Sequence, residues 1–176
     1  MYKKQSYSTK KIPLGKRLDS WQEQSDNVLF PMEIEADEYE SQNFFGAMVS
    51  QQIGSITIHG IKAQAHNVHH TKPTRFSDEE PYVIVILQAF GEGLISHGGR
   101  DVVLRPDDFM LLDTTKAFDL KFPGPVKEYL IQIPWDTVRR DLVSPERIAG
   151  LAIQGDKGIG RIVSNFLSGF IQEAPS

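Results

Sequence analysis

The chain of 176 residues contains no cysteine. This absence excludes disulfide bonds, zinc sites with thiolate ligands and thiol nucleophiles. Long apolar runs are missing as well, because no stretch approaches the roughly 20 residues that a membrane-spanning helix needs. The first eighteen residues are polar and rich in lysine, without the apolar run of a signal peptide. We therefore expect a protein of the cytoplasm that has no membrane partner.

Positive charge is scarce and unevenly placed. The net charge is −4, residues 1–18 carry six basic and no acidic side chains, and residues 19–61 carry eight acidic side chains and no Lys or Arg. Because nucleic-acid affinity comes mainly from clustered Lys and Arg, the chain alone is not expected to bind DNA. Residues 1–18 are predicted to form a basic flexible arm, either solvated or folded back onto the acidic surface.

The middle of the chain has the pattern of a β protein. Between residues 44 and 133, about seven short strands alternate with turn residues, which favours a sandwich or a barrel. Gly98-Gly99 predicts a hairpin turn. Residues 82–90 are apolar at both parities, as in a strand covered on both faces. The alternation that starts at Ile56 shifts phase at Gly60, where a bulge is predicted.

The C-terminal part changes to a helical period. The apolar residues between 159 and 171 recur at a spacing of three and four, which predicts one wide apolar stripe on a helix. Such a stripe packs on the domain's own core or on a partner, and we predict dimerisation through Ile159, Ile162, Val163, Phe166, Leu167 and Phe170.

The run His66-Asn-Val-His-His70 raises the question of a metal site. A small β-barrel with a glycine hairpin resembles the cupins, whose metal-binding members place three His and one Glu around the ion. In this sequence Leu111 stands at one ligand position, and Ile84 or Ile86 at the glutamate position. The remaining two positions fall between Ser77 and Tyr82, where no histidine occurs. We therefore expect no metal, no cofactor and no enzymatic activity.

A longer pattern resembles the N-terminal sensing domain of AraC-type transcription regulators. The order and spacing of the matching residues carry this resemblance, which covers nearly the whole chain after residue 18. The matches are Thr71, Tyr82, Gln88, Gly91, Gly99-Arg100, Pro106, Asp108, Leu111-Leu112-Asp113-Thr114 and Ile133-Pro134. Three positions depart from the family pattern: His70 and Trp135 each replace an Arg, and Asp107 replaces a turn Gly.

The resemblance implies a mainly β fold with C-terminal helices. Residues 19–134 would form a cupin-like jelly-roll, or double-stranded β-barrel, that binds a small organic effector. Residues 135–176 would begin the helical dimerisation region. A homodimer would be the working form, and DNA would be bound only through a C-terminal helix-turn-helix domain that is absent from this chain.

Two strands supply the candidate site residues. His66 and His70 share one face of a strand, at the rim of the effector pocket or in solvent at a strand end. Tyr82, Ile84, Ile86 and Gln88 form one row of the next strand and are predicted to wall the pocket, although Gln88 could instead pair with a neighbouring strand. The alternative functions are a metal-free cupin enzyme and a stand-alone jelly-roll binding protein.

Overall fold

The computed structural model describes residues 4–71, 80–138, 147 and 149–173. The chain is mainly β, as predicted, with short helices at both ends. The strands are β1 Lys4–Ser8, β2 Glu33–Glu35, β3 Gly46–Ile53, β4 Ile56–Ala63, β5 His66–His70, β6 Tyr82–Phe90, β7 Gly93–His97, β8 Arg100–Leu104, β9 Phe109–Asp113, β10 Phe118–Phe122 and β11 Val126–Pro134. The helices are α1 Arg17–Val28, α2 Glu38–Asn43, α3 Trp135–Val138 and α4 Gly158–Glu173.

The strands form two antiparallel sheets that enclose one apolar core. A six-stranded sheet has the order β1-β3-β4-β11-β6-β9, and a five-stranded sheet has the order β2-β5-β10-β7-β8. The core draws on both sheets, with Ile84 and Ile86 from β6 packed together with Leu120 and Phe122 from β10. On β6, Val83 and Leu87 are buried on the opposite face, which confirms a strand covered on both sides.

Residues 4–18, the described part of the predicted flexible arm, are instead part of the fold. β1 pairs antiparallel with β3, so its backbone groups complete the edge of the six-stranded sheet. Tyr7 donates from its hydroxyl to Ser20 O at 3.1 Å, and Arg17 donates to Ile12 O at 2.9 Å. The segment folds back through backbone pairing rather than through its charges, and the predicted boundary at residue 18 falls inside α1.

The predicted bulge at Gly60 is also wrong. Pairing of β4 with β3 and with β11 runs through Gly60 without a shift. A Cβ at this position would lie 3.3 Å from the Tyr129 ring, so the glycine makes room for an aromatic side chain instead. The shift in register lies on the other side of β11, between Lys127 and Glu128, where Ala89 of β6 is the extra residue.

The last helix, α4, is attached to the rest of the domain through the small residue Ser164. Ser164 of α4 is 2% exposed and donates from its hydroxyl to Asp107 O at 2.8 Å. Asp107 has φ 73, the left-handed conformation that the family pattern gives to glycine. The neighbouring Asp108 accepts from Arg105 N and from Gly155 N, both at 3.0 Å. The backbone carbonyl of Asp107 and the carboxylate of Asp108 therefore form a turn that anchors α4.

Residues 139–146 and 148, within the predicted helical segment 135–176, lie outside the described residues. β11 ends at Pro134 and α3 begins at Trp135, which is where the boundary between strands and helices was expected. In the part of the chain that the structure covers, no helix has the length and apolar character to cross a membrane.

Candidate functional site

A cavity of about 40 Å³ lies between the two sheets. Its wall is formed by side chains from the six-stranded sheet, from the five-stranded sheet and from residues 21–34. The lining residues are Trp21, Ser25, Leu29, Phe30, Met32, Ile34, Ile61, His66, Val68, Ile84, Ile86, Leu112, Leu120, Phe122, Glu128 and Leu130. Since one water needs at least ~10–15 Å³, the cavity has room for only a few water molecules.

Residues 21–34, which we call the cover, close the cavity on one side. Gln22 holds the two ends of this segment together, since its Oε1 accepts from Ile34 N at 2.6 Å and its Nε2 donates to Met32 O at 2.5 Å. Asp26 Oδ1 accepts from Met32 N at 3.0 Å. A Cβ at position 46 would lie 2.6 Å from the Trp21 ring, so Gly46 is what allows Trp21 to pack this closely.

The cover is also tied to the sheet behind it by a buried polar chain. Ser50 Oγ is 2.8 Å from His59 Nδ1, and His59 Nε2 is 2.9 Å from Gln132 Oε1. Gln132 Nε2 then donates to Leu29 O at 3.2 Å. Burial lowers the pKa of His59 to about 4, so its imidazole is neutral at pH 7. Leu29 lines the cavity, and the chain therefore links three strands to the cavity wall.

Glu128 is the acidic side chain of the wall. It is 4% exposed, and its Oε1 is buried with no hydrogen-bond partner in the part of the chain that the structure describes. Burial raises the pKa of the carboxyl to about 8. Glu128 lies opposite Ile61 on one side and Gln88 on the other, immediately after the register shift in β11. Bulges commonly redirect a side chain beside a functional site.

His66 faces the same cavity from the five-stranded sheet. Its Nδ1 is 2.7 Å from Gln64 O and must donate to it, because a carbonyl can only accept. Burial lowers the pKa of His66 to about 4, so the ring is neutral and its Nε2 is an acceptor. Phe44 and Phe122 pack on this ring with centroids 5.9 and 4.9 Å away.

Of the six residues predicted to bind the effector, the structure brings three to the cavity wall. His66, Ile84 and Ile86 line it. Gln88 is fully buried in the same row of β6 but lies outside the wall, with Nε2 donating to Phe90 O at 2.9 Å and Oε1 without a partner. Tyr82 is half-buried, and its hydroxyl donates to Glu80 at 3.3 Å.

His70 also lies outside the wall. Its ring packs against Phe30 and Phe118, with centroids 5.2 and 4.8 Å away. Its Nδ1 and Nε2 are each 2.9 Å from a carbonyl oxygen, of Pro31 and of Thr114. The family pattern has an Arg, with several N–H donors, at this position. Here the imidazole of His70 contacts both the cover, at Pro31, and the end of β9, at Thr114.

Sequence reasoning missed Glu128 and the cover. Glu128 stands in "KEYLIQI", in the same alternate row as Leu130 and Gln132. An acid in the apolar row of a central strand was the available signal. The cover had none, because α1 carries mostly polar residues and only Trp21 and Ser25 of that helix are buried.

Within residues 4–71, 80–138, 147 and 149–173, no three His, Asp or Glu side chains are grouped so that they could hold a metal ion. Leu111, at one expected ligand position, pairs with Val85 in the six-stranded sheet. The two positions between Ser77 and Tyr82 fall mainly outside the described residues.

The apolar stripe of α4 is partly open to solvent. Ile159, Ile162 and Phe166 are 74%, 65% and 67% exposed. The other three predicted dimerisation residues, Val163, Leu167 and Phe170, are half-buried. The helix therefore contacts the domain through the face of Ser164 and leaves half of the stripe uncovered.

Comparisons with known proteins agree on one family. The AraC-binding-like domain matches residues 21–176. The chain is 29% identical over 114 residues to the transcriptional activator NphR of Rhodococcus sp., covering 62% of this chain and 33% of that protein. It is 25% identical over 126 residues to an uncharacterized protein in the nit 5' region of Bacillus sp. (strain OxB-1), covering 72% of this chain and 48% of that protein.

A solved structure gives the same fold. The AraC-like transcriptional activator CuxR superposes with a TM-score of 0.80 at 15% identity, covering 96% of this chain and 60% of that one. The chain spans less than half the length of the two curated relatives, NphR and the Bacillus protein. It belongs to the AraC-binding-like domain family.

Proposed function

We propose that this domain senses a small organic effector in the cavity between its two sheets and passes the signal on through the cover and α4. The observation that carries the proposal is the cavity wall itself, which is apolar on nearly all sides. Its polar groups are the hydroxyl of Ser25, the imidazole of His66 and the carboxyl of Glu128, whose Oε1 has no hydrogen-bond partner among the described residues. Small-molecule sites have this composition, since apolar surface supplies affinity and a few placed polar groups supply specificity.

The size of the cavity indicates how binding would be transmitted. At about 40 Å³ it is smaller than a typical ligand pocket of roughly 300–1,000 Å³. An effector therefore has to displace part of the wall. The cover pairs with a sheet at its end, where Glu33 and Ile34 of β2 lie opposite β5. Before β2 it is tied to the rest of the domain by side-chain contacts such as that of Gln132 with Leu29 O. The part of the cover that precedes β2 is therefore the part that moves.

The two sheets are proposed to close into a cupin-like jelly-roll barrel around this cavity. Inward-facing rows from both sheets meet in one core, and the superposition on CuxR extends over nearly the whole chain. We propose binding rather than catalysis as its role, because the wall offers Glu128 and a neutral His66 but no further acid or base. The regulator would act in the cytoplasm and reach DNA through a separate domain.

The working form is proposed to be a homodimer. The open half of the α4 stripe carries three large apolar side chains, Ile159, Ile162 and Phe166, more than half exposed. Contiguous apolar surface of this kind marks association sites. A second copy of the same helix is the occupant we propose, since two identical apolar stripes are complementary across a twofold axis.

A cavity-filling substitution tests the site. Val68→Ile adds one methylene to the wall, whereas Val49→Ile adds the same group to an exposed position on β3, 42% open to solvent. Small amines, alcohols, acids and sugars are screened for a rise in melting temperature. We expect Val68→Ile to weaken the response to any stabilising compound and Val49→Ile to leave it unchanged. Equal responses in both variants would place the ligand elsewhere.

A further inference from the structure

We propose that the effector carries an ammonium or amidinium group on a compact apolar body, and that this cation is bound by Glu128. The inference rests on the proposed function and adds to it the chemical class of the ligand. Glu128 lines the cavity, and none of the described residues forms a hydrogen bond or ion pair with its carboxyl. Burying a carboxyl group without a hydrogen-bond or ion-pair partner costs free energy, so such groups are rare in protein cores unless a partner binds them.

Other polar atoms in and beside the wall point to the same class. His66 uses its Nδ1 hydrogen on Gln64 O, which leaves Nε2 as an acceptor. Beside Glu128 on β6, just outside the wall, the Oε1 of Gln88 is a buried acceptor with no hydrogen-bond partner among the described residues. None of the described residues that line the cavity is a Lys or Arg. Acceptors without a neighbouring cation favour a ligand with several N–H donors over a carboxylate.

Binding of a cation would be linked to proton release. His66 is the other titratable side chain of the wall, and the groups facing Glu128 from β4 and β6, Ile61 and Gln88, carry no charge. In the empty domain burial raises the pKa of Glu128 to about 8, so the carboxyl is mostly protonated at pH 7. An ammonium group would pull that pKa down and expel the proton.

Three ligands of one shape separate the classes: benzylamine, benzyl alcohol and benzoate. Each is titrated calorimetrically into the wild-type domain and into Glu128→Gln, with the exposed Glu38→Gln, on α2 and outside the cover, as control. For the wild type at pH 7 we expect benzylamine to bind most tightly and to release close to one proton, measured in buffers of different ionisation enthalpy. Glu128→Gln should lose at least about tenfold in benzylamine affinity, with no proton release, while Glu38→Gln behaves as wild type.

The titration results separate the ligand class, the role of Glu128 and the existence of the interior site. Tightest binding of benzoate or benzyl alcohol, sensitive to Val68→Ile, would overturn the cationic class and leave the interior site intact. Binding of benzylamine that is equal in wild type and Glu128→Gln would overturn the role of Glu128. Failure of all three, repeated with phenethylamine, cyclohexylmethylamine and their alcohol and acid counterparts, would overturn both this inference and the proposed interior site.

Discussion

At the scale of single residues, Glu128 makes the stability of the domain depend on pH. Its pKa is raised from 4.5 in the unfolded chain to about 8 in the folded one. Between these values the folded state holds a proton that the unfolded state has lost, so the free energy of unfolding falls as pH rises.

We therefore predict that Glu128→Gln is more stable than the wild type at pH 8 and that the difference shrinks toward pH 5. The slope is at most about 1.4 kcal/mol per pH unit for one proton. Urea unfolding of both proteins across this range measures it. Parallel curves for the two proteins would contradict the assignment of a buried protonated carboxyl.

Three buried histidines act in the opposite direction. Burial lowers the pKa of His59 and of His66 from 6.5 to about 4, and it lowers the pKa of His97 as well. Between pH 4 and 6.5 the unfolded chain binds protons that the folded chain does not, so stability rises with pH in this window. Together with Glu128 this predicts maximum stability at about pH 6.5–7, measurable as a peak in melting temperature. His66→Phe should flatten the acid side of the peak, because it removes one of these groups.

Asp107 shows how a departure from the family pattern is accommodated. With φ 73 it occupies a conformation that Asp tolerates better than most residues and that a β-branched residue strongly disfavours. We predict that Asp107→Gly changes the free energy of unfolding by less than ~1 kcal/mol, whereas Asp107→Val lowers it by about 1–3 kcal/mol. Chemical denaturation of the two variants tests this, and equal stabilities would show that the turn relaxes.

At the scale of elements, the order of the cover depends on the side chain of Gln22. Gln22 contacts Met32 O and Ile34 N. Gln22→Leu keeps the helix but leaves both backbone groups without these partners, and we predict a loss of about 1–3 kcal/mol. Amide exchange at Ile34 should accelerate more than exchange at Ile131 in the centre of β11. The control Gln52→Leu removes a longer, exposed contact of 3.4 Å to Gly54 O and should have little effect.

The strands could be predicted from the sequence wherever a single local rule, such as turn preference or apolar alternation, determines them. The Gly98-Gly99 hairpin, with φ 60 and 75, and the doubly covered β6 follow from local preference and from apolar pattern. Gly60 was misread because a glycine can mark either a bulge or a close neighbour, and only the fold reveals the Tyr129 ring above it.

Half of the candidate site was predictable for the same reason. Ile84 and Ile86 follow from strand alternation, which assigns a whole row to one face. Alternation does not say how far along a row the cavity extends, so Gln88 and Tyr82 were placed in the wall although they lie beyond it. The contribution of the cover depends on contacts between distant segments, which no local pattern contains.

At the scale of the whole molecule, self-association is the role proposed for α4. We predict that Ile162→Glu weakens it, because a charge would be buried in the apolar contact between two copies. Asn165→Glu adds the same charge at an exposed polar position of the same helix and should leave association unchanged. Sedimentation over a range of concentrations compares the three proteins. A wild type that stays monomeric at every concentration would contradict the proposed dimer.

The cover also has a consequence in time. Since the cavity of about 40 Å³ admits no more than a few waters, the proposed effector would enter only after the cover opens. The observed binding rate should then level off at high ligand concentration, at the rate of opening, and departure should wait for the same event. A domain built this way would respond to the average effector level over many opening cycles, and brief fluctuations in that level would pass without a signal.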